Sequence, residues 1–321
     1  PEIIPMLQEE NELTTAYEKL LAGAQIPFEG KIYTISQMSP FKNDKDDARR
    51  LAAWKAEGQW YKDNQGELDR LYDKLVHLRD QMGKKLGYKD FTELGYYRMR
   101  RNCYDKQDVQ KFREAVQKYV VPVAEKIYKR QAERLGKSYP LSYADAAIEF
   151  RSGNPKPKGS PEEIVASGKK FYDWLSPETG EFFNHMIEDE LMDLLSTKGK
   201  QGGGYCTSFQ DYKTPFIFAN FNGTQHDIEV ITHEAGHAFA AYLNRNRVPY
   251  ECIWPSLEAC EGDGGNPLHV HGILCRGIFR GILRGGCRKI QLLSSCRSFK
   301  LYSLRNHGGS FPAYRIRKSG A

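Results

Sequence analysis

Apolar positions recur at helical spacing along most of the chain. Leu13, Tyr17, Leu20 and Leu21 predict a helix over residues 7–21, with Gly23 just past its end. A short strand-like stretch follows at 32–35, between Gly30 and Pro40. From 44 to about 86 the pattern is helical again, carried by Leu51, Trp54, Leu68, Leu71, Tyr72, Leu75, Leu78 and Met82. A further helix is predicted over 91–99. A long one is predicted over 106–135, with Val109, Phe112, Val116, Val120, Val123 and Ile127, and Pro122 is expected to kink it rather than end it.

Residues 153–159, with two prolines and two glycines, predict a loop. Ser160-Pro161-Glu162-Glu163 then supplies a cap, a proline at the first helical position and early acids. Helices are predicted over 161–174 and 178–196. The texture changes at 198–204, a glycine-rich turn, and Phe216, Ile217 and Phe218 predict a strand over 214–220. A last apolar helix is predicted over 227–244. No internal repeat is visible. The expected fold is mainly α, a helical zincin-like core with one small β-sheet next to that last helix.

The chemistry sits on the same helix. His233-Glu234-Ala235-Gly236-His237 is an H-E-x-x-H sequence. Residues four apart share a helix face, so both imidazoles can reach one ion, while Glu234 lies beside it and can take a proton from water. Nitrogen ligands with an open position suit hydrolytic zinc, one ion per chain. The plain alternative is two histidines on a core helix by accident; their placement on a well-patterned helix speaks against it. Glu258 and Glu261 are three apart, so one can bind metal and the other orient a ligand histidine. Asp227 and Glu229 fall in the first turn, where acids favour the positive helix end. Capping is the reading preferred for Asp227; for Glu229, capping and a hydrogen bond to a ligand histidine stand equal.

Composition narrows the setting. The chain has 321 residues, 40% hydrophobic and 27% charged, an ordinary globular balance. No apolar run of 18 residues occurs, and Pro1-Glu2-Ile3-Ile4-Pro5 lacks the basic start and apolar core of a signal peptide. The seven cysteines are odd in number and scattered, which suits a reducing cytoplasm. The net charge is +6, but residues from Gly262 onward hold eleven Lys/Arg against one acid, Asp263. That tail alone carries +10, leaving −4 for residues 1–261.

Several strings together resemble oligoendopeptidase F and the Pz-peptidases, within the thimet-oligopeptidase-like metallopeptidases. They are Gly202-Gly203-Gly204-Tyr205-Cys206, the run from Phe216 to Gly223, His233 to His237, and Leu257-Glu258-Ala259. The run from Gly87 to Tyr96 is similar as well. The resemblance covers nearly all of residues 1–261. It implies a mostly helical enzyme that admits short unstructured peptides through a deep channel, and it makes Glu258 the third zinc ligand. Glu261 and Glu229 become candidates to orient the ligands. The strand near 216–220 is implied to lie along the substrate backbone, as an exposed edge can, with Tyr205, Phe218, Ala219 and Asn220 as candidate contacts. The plainer reading of Phe216 and Phe218 is a core strand.

Two departures qualify the resemblance. The family's additional N-terminal helical lobe is not found here, and the segment expected after Glu-Ala is not legible beyond Glu261. Shifting the reading of residues 265–273 by one base permits E-I-H-S-M-S-M-E-F, the family's continuation, and the same shift over 302–319 again permits a family-like string. Residues 262–321 are therefore expected to be a basic tail from a non-native frame. The chain is read as a zinc-dependent endopeptidase core acting on short oligopeptides by metal-activated water, the alternative being a zinc-binding but catalytically impaired helical module. The competing reading is a nucleic-acid arm, since Arg276, Arg280, Arg284 and Arg288 repeat at four-residue spacing. Gly277, Gly281, Gly285 and Gly286 beside them disfavour the helix it needs. Short peptides are the expected partners; a membrane is not.

Overall fold

The computed structural model describes residues 2–157 and 159–254. Glu258, Glu261 and the basic tail lie outside the described residues. Helix α1 (Ile4–Ala22) begins with Pro5 in its first turn, where a missing N–H costs nothing. It packs against α4 (Gln65–Lys85) and α5 (Phe91–Arg98) through Leu13, Leu71, Leu78, Met82 and Leu94. Glu10 is buried in this seam and takes hydrogen bonds from Arg79 at 2.6 Å and Arg98 at 2.8 Å.

Part of the expected strand at 32–35 is present. Lys31–Tyr33 (β2) pairs antiparallel with Ile26–Phe28 (β1), through a turn at Glu29 and Gly30 that are both left-handed. There are thus two small sheets where the sequence suggested one. After the short helix α2 (Ser39–Lys42), α3 (Asp47–Asp63) is capped by Asp46, whose carboxylate accepts from the Arg49 N–H. The helical pattern expected from 44 to 86 is two helices, broken at Asn64. Its side chain donates to the Trp60 carbonyl at 2.8 Å, the local competition that makes asparagine a helix terminator.

Helix α6 (Lys106–Ala115) continues through a wider five-residue turn, Val116–Val120, into α7 (Val121–Leu135). Pro122 has no N–H to give the preceding turn and its ring crowds that turn's carbonyl; the wide turn accommodates both. Ser160 and Ser176 cap α8 (Pro161–Leu175) and α9 (Pro177–Glu188), each with a reciprocal capping box. The helix expected to run to 196 stops at Glu188. Glu190 is left-handed, and Met192–Leu195 is instead a strand, β3. Pairing with a neighbouring strand overrides the local helical pattern there.

The second sheet has the order β3-β5-β4, with β4 at Tyr205–Phe209 and β5 at Thr214–Phe221. β3 runs parallel to β5 and β4 antiparallel to it. Along β5, Pro215, Ile217, Ala219 and Phe221 are buried while the residues between them are half-buried. The buried row meets Ile231, Ala235 and Ala238 of α10 (His226–Asn244), and Phe182, Phe183 and Met186 of α9 complete the same core.

A charged knot braces the other half. Arg50 is 1% exposed and donates to the Ala144 carbonyl at 3.0 Å, the Asp44 carbonyl at 2.7 Å, and the carboxylates of Asp47 and Asp145. Lys137 joins Asp145 at 2.9 Å. Burial alone pushes the Asp145 carboxyl up, but its hydrogen bonds from Lys137, Arg50 and Ser142 outweigh this and hold it at about 2. A carboxylate whose pKa is lowered on folding stabilises the fold above its unfolded pKa, near 4, and loses that effect as pH falls through its folded value. The stability gap between the wild type and Asp145→Asn should therefore be full at pH 7 and shrink between about pH 4 and pH 2. Denaturant unfolding across that range measures it; a gap that is flat with pH would remove the ion-pair account.

Candidate metal centre

The loop leaving β5 is tied to the helix that follows it. Asp227 is buried, and its carboxylate accepts the backbone N–H groups of Asn222 at 3.0 Å and Gly223 at 2.7 Å. Burial raises its pKa, and the two backbone hydrogen bonds oppose that shift. Asp227 thus reaches back to the loop rather than forward as a cap. The effect is to fix where α10 starts relative to the sheet. Glu229, in the same first turn, accepts from the Gln225 amide at 2.5 Å and lies 3.4 Å from the His226 Nδ1. Both are side chains at the helix start.

From that start, α10 brings His233 and His237 together. Their Nε2 atoms are 3.1 Å apart, with ring centroids 4.5 Å apart and planes at 87°. Two neutral imidazole nitrogens this close share one proton or one metal ion. Zinc held by two nitrogens at about 2.0–2.1 Å in a tetrahedron places them about 3.3–3.4 Å apart. The pair is within a few tenths of an ångström of that bite, so the residues fit the ion. Among the described residues, no group of three His, Cys, Asp or Glu side chains comes together.

Glu234 is buried on the same helix, facing the start of β4. A Cβ placed on Gly204 would lie 3.0 Å from Val230 Cγ1, 3.4 Å from the Phe218 carbonyl oxygen and 3.8 Å from Glu234 Oε1. Gly204, just before β4, therefore lies close to this carboxylate, and a side chain there would press on Val230 and the Phe218 carbonyl. The glycine run is a turn, with Gly199 and Gly203 left-handed.

The expected substrate edge needs correction. β5 is the central strand: Phe218 pairs with Asp193 on one side and Tyr205 on the other. Residues 216–218 therefore offer a peptide no free edge, and among the described strands the free edge of this sheet next to Gly204 is that of β4. Residues 205–209 are too short and too mixed in polarity to stand out as a strand, and the partner strand creates one. Ala219 is fully buried toward α10. Asn220 donates to the carbonyls of Gln201 at 2.8 Å and Gly203 at 2.9 Å, holding the glycine turn. Tyr205 stacks on Phe218 at 4.9 Å and 16°, with Lys200 Nζ 4.5 Å from the Phe218 ring centre. Phe216 and Phe218 are half-buried on the sheet's outer face rather than in the core, which takes Ile217 instead.

Comparison with known proteins agrees with this arrangement. Residues 174–262 match the model of peptidase family M3. An oligoendopeptidase F crystal structure superposes with a TM-score of 0.90 at 43% identity over 93% of this chain. PZ peptidase A, solved with an inhibitor, gives 0.90 at 44% over 93%. An oligoendopeptidase F from Bacillus anthracis str. Ames gives 0.88 at 44% over 92%. A peptidase from Chlamydophila abortus, 15% identical with a TM-score of 0.62, shares the fold. This chain spans 52–54% of the length of the first three. No curated protein sequence is significantly similar. A helical fold built around this motif helix, so similar to three such structures over nearly all of its own length, places the chain with oligoendopeptidase F and PZ peptidase in peptidase family M3.

Proposed function

We propose that this chain carries the catalytic core of a zinc-dependent endopeptidase that cleaves short oligopeptides. The observation that carries the reading is the pair of Nε2 atoms 3.1 Å apart, on one helix with the buried Glu234. His233, His237 and Glu258 would hold the ion, with Glu261 and Glu229 orienting ligands. Zinc, when bound, acidifies a water molecule and polarises the peptide carbonyl. Glu234 takes the proton from the attacking water and delivers it to the departing amine. The relatives' names support peptide as the substrate. No described helix is long and apolar enough to cross a membrane.

The sheet supplies the recognition surface. Pro215, which has no N–H, stands opposite Ser208, and the Ile217 N–H donates to Leu191 on the far side of β5. Both facts fix the phase of the ladder: Cys206 and Ser208 turn their backbone groups away from β5, toward the outer side of β4. Gly204, next in that alternation, lies beside Glu234. An extended peptide laid along this side of the sheet at Gly204 would bring one of its bonds close to the carboxylate. A folded protein has few unpaired extended segments to offer, so the mode favours short, unstructured chains. Tyr205, stacked over Phe218 beside this edge, would contact such a peptide, while Asn220 acts through the glycine turn and Ala219 through the core.

Elemental analysis of the wild type should find about one zinc per chain, largely lost in His233→Ala and His237→Ala. Glu234→Gln should keep the metal and lose about 100- to 10,000-fold in turnover of a quenched-fluorescent peptide. Retained zinc with no turnover even in the wild type would favour the zinc-binding helical module instead. Absence of zinc would remove both readings.

Gly204→Val probes the approach of strand to carboxylate. The branched side chain would press on Val230 and fill the space beside Glu234. Misplacing reacting groups by about 1 Å costs about 100-fold, so kcat/KM should fall by at least about 10-fold with zinc content unchanged. Unaltered kcat/KM would show that substrate does not pass this point.

A further inference from the structure

A turn far back in the chain reaches the start of α10. The turn Ser36–Met38 follows β2 and is seated by the buried Met38, which packs with Ile26 and Ala53. Thr34 and Gln37 close it reciprocally. The Thr34 N–H donates to Gln37 Oε1 at 3.0 Å, and the Gln37 N–H donates to Thr34 Oγ1 at 3.3 Å. The Ser36 carbonyl held in this way accepts from the Ser39 N–H and, at 3.2 Å, from the side-chain amide of Asn222. Asn222 lies 186 residues later, in the loop between β5 and α10. The same turn meets the glycine run, since a Cβ on Gly202 would lie 3.6 Å from Ser36 Oγ.

Asn222 uses its backbone and both ends of its side-chain amide. Its N–H donates to Asp227 Oδ1 at 3.0 Å, its Oδ1 accepts from the Thr224 N–H at 3.2 Å, and its Nδ2 reaches Ser36. The first two bonds lie within the loop and the first turn of α10, so they would travel with any shift of that unit. The third ties the unit to a different part of the chain. We propose that Asn222 is a positioning residue through which the Ser36 turn fixes the start of α10 and, with it, Glu234. Its bearing on catalysis rests on the proposed reading of α10 as the helix that holds the metal. Glu234 faces Gly204 across a short gap, its Oε1 3.8 Å from where a Cβ would stand. The Ser36 turn touches the chain on both sides of that gap, at Gly202 and at Asn222. Loosening it changes the spacing of carboxylate and sheet, while the two imidazoles, four residues apart on one helix, keep theirs. The turn therefore acts on the rate and not on the metal.

Hydrogen exchange reads the tether without relying on activity. It would be followed in the full chain, with and without added zinc, for the wild type, Asn222→Ser, Gln37→Ala and the double variant. Serine at this position can still accept from the Thr224 N–H but is too short to reach Ser36. Gln37→Ala loosens the turn and leaves the loop's own residues intact. In each single variant the amides of Gly223, Ile228 and Glu229 should exchange about 2- to 10-fold faster, the effect of one neutral hydrogen bond. Those of α9 should not change. The double variant should be no faster than Asn222→Ser alone, because both substitutions cut one tether. With a quenched-fluorescent peptide, kcat should fall while KM and zinc content stay close to wild type.

Unchanged exchange at those three amides in either single variant, or additive effects in the double, would overturn the proposal alone. Faster exchange with kcat intact would do the same. A wild type without zinc or turnover would overturn the functional reading, and the bearing on catalysis with it. Should Asn222→Ser exchange faster throughout, α9 included, Gln37→Ala decides, since it alters neither the loop nor the helix.

Discussion

The site depends on how closely α10 can lie against β5. The helix meets the sheet with Ile231, Ala235 and Ala238, and the strand answers with Ile217, Ala219 and Phe221. Two alanines on the helix and one on the strand allow a short approach, and the Asp227 carboxylate clamps the connecting loop so that the helix enters at one fixed phase. Everything functional follows from that phase. At about 100° per residue, Glu234 falls about 60° round from the sheet-facing stripe, and His237 and His233 lie farther round the same side. The carboxylate is therefore set between the imidazole pair and the edge of the sheet. A helix rotated by one residue would swing it about 100° and break both relations.

Glycine completes what the small alanines begin. Position 204 is where strand and carboxylate pass each other, and any Cβ there meets Val230 and the Phe218 carbonyl. Asn220 holds the preceding turn through two backbone carbonyls, so the glycine run is anchored despite having no side chains of its own. Flexibility in the sequence thus becomes definition in the structure, because a half-buried polar side chain next door supplies the missing contacts. Residues with no chemistry of their own, Asp227, Gly204 and Asn220, position those that have it.

The helices are legible in the sequence because each carries both an apolar stripe and a local terminator, as with Ser160 and Ser176 or the acid-rich start of α10. The histidine pair is legible for the same reason: four-residue spacing on a helix already fixes which side chains share a face. What the sequence hides is everything set by partners distant along the chain. β3 looks like the end of a helix until β5 pairs with it, and β4 has no pattern of its own to announce it. With those two strands hidden, the edge is hidden too, since a strand's position in a sheet depends on its neighbours and not on its own residues. The inward turn of Asp227 is equally hidden, because a first-turn acid ordinarily acts as a cap or dipole partner.

Placing β5 at the centre and β4 at the margin divides the labour between two kinds of atom. The helix contributes side chains, each with one role at one point. On the proposed reading, the margin of the sheet would contribute backbone N–H and C=O groups, which can pair with an extended chain regardless of its sequence. Selectivity in such a site comes from conformation before it comes from side chains. On the proposed reading, a peptide would have to be unstructured to give up its own backbone groups to the sheet.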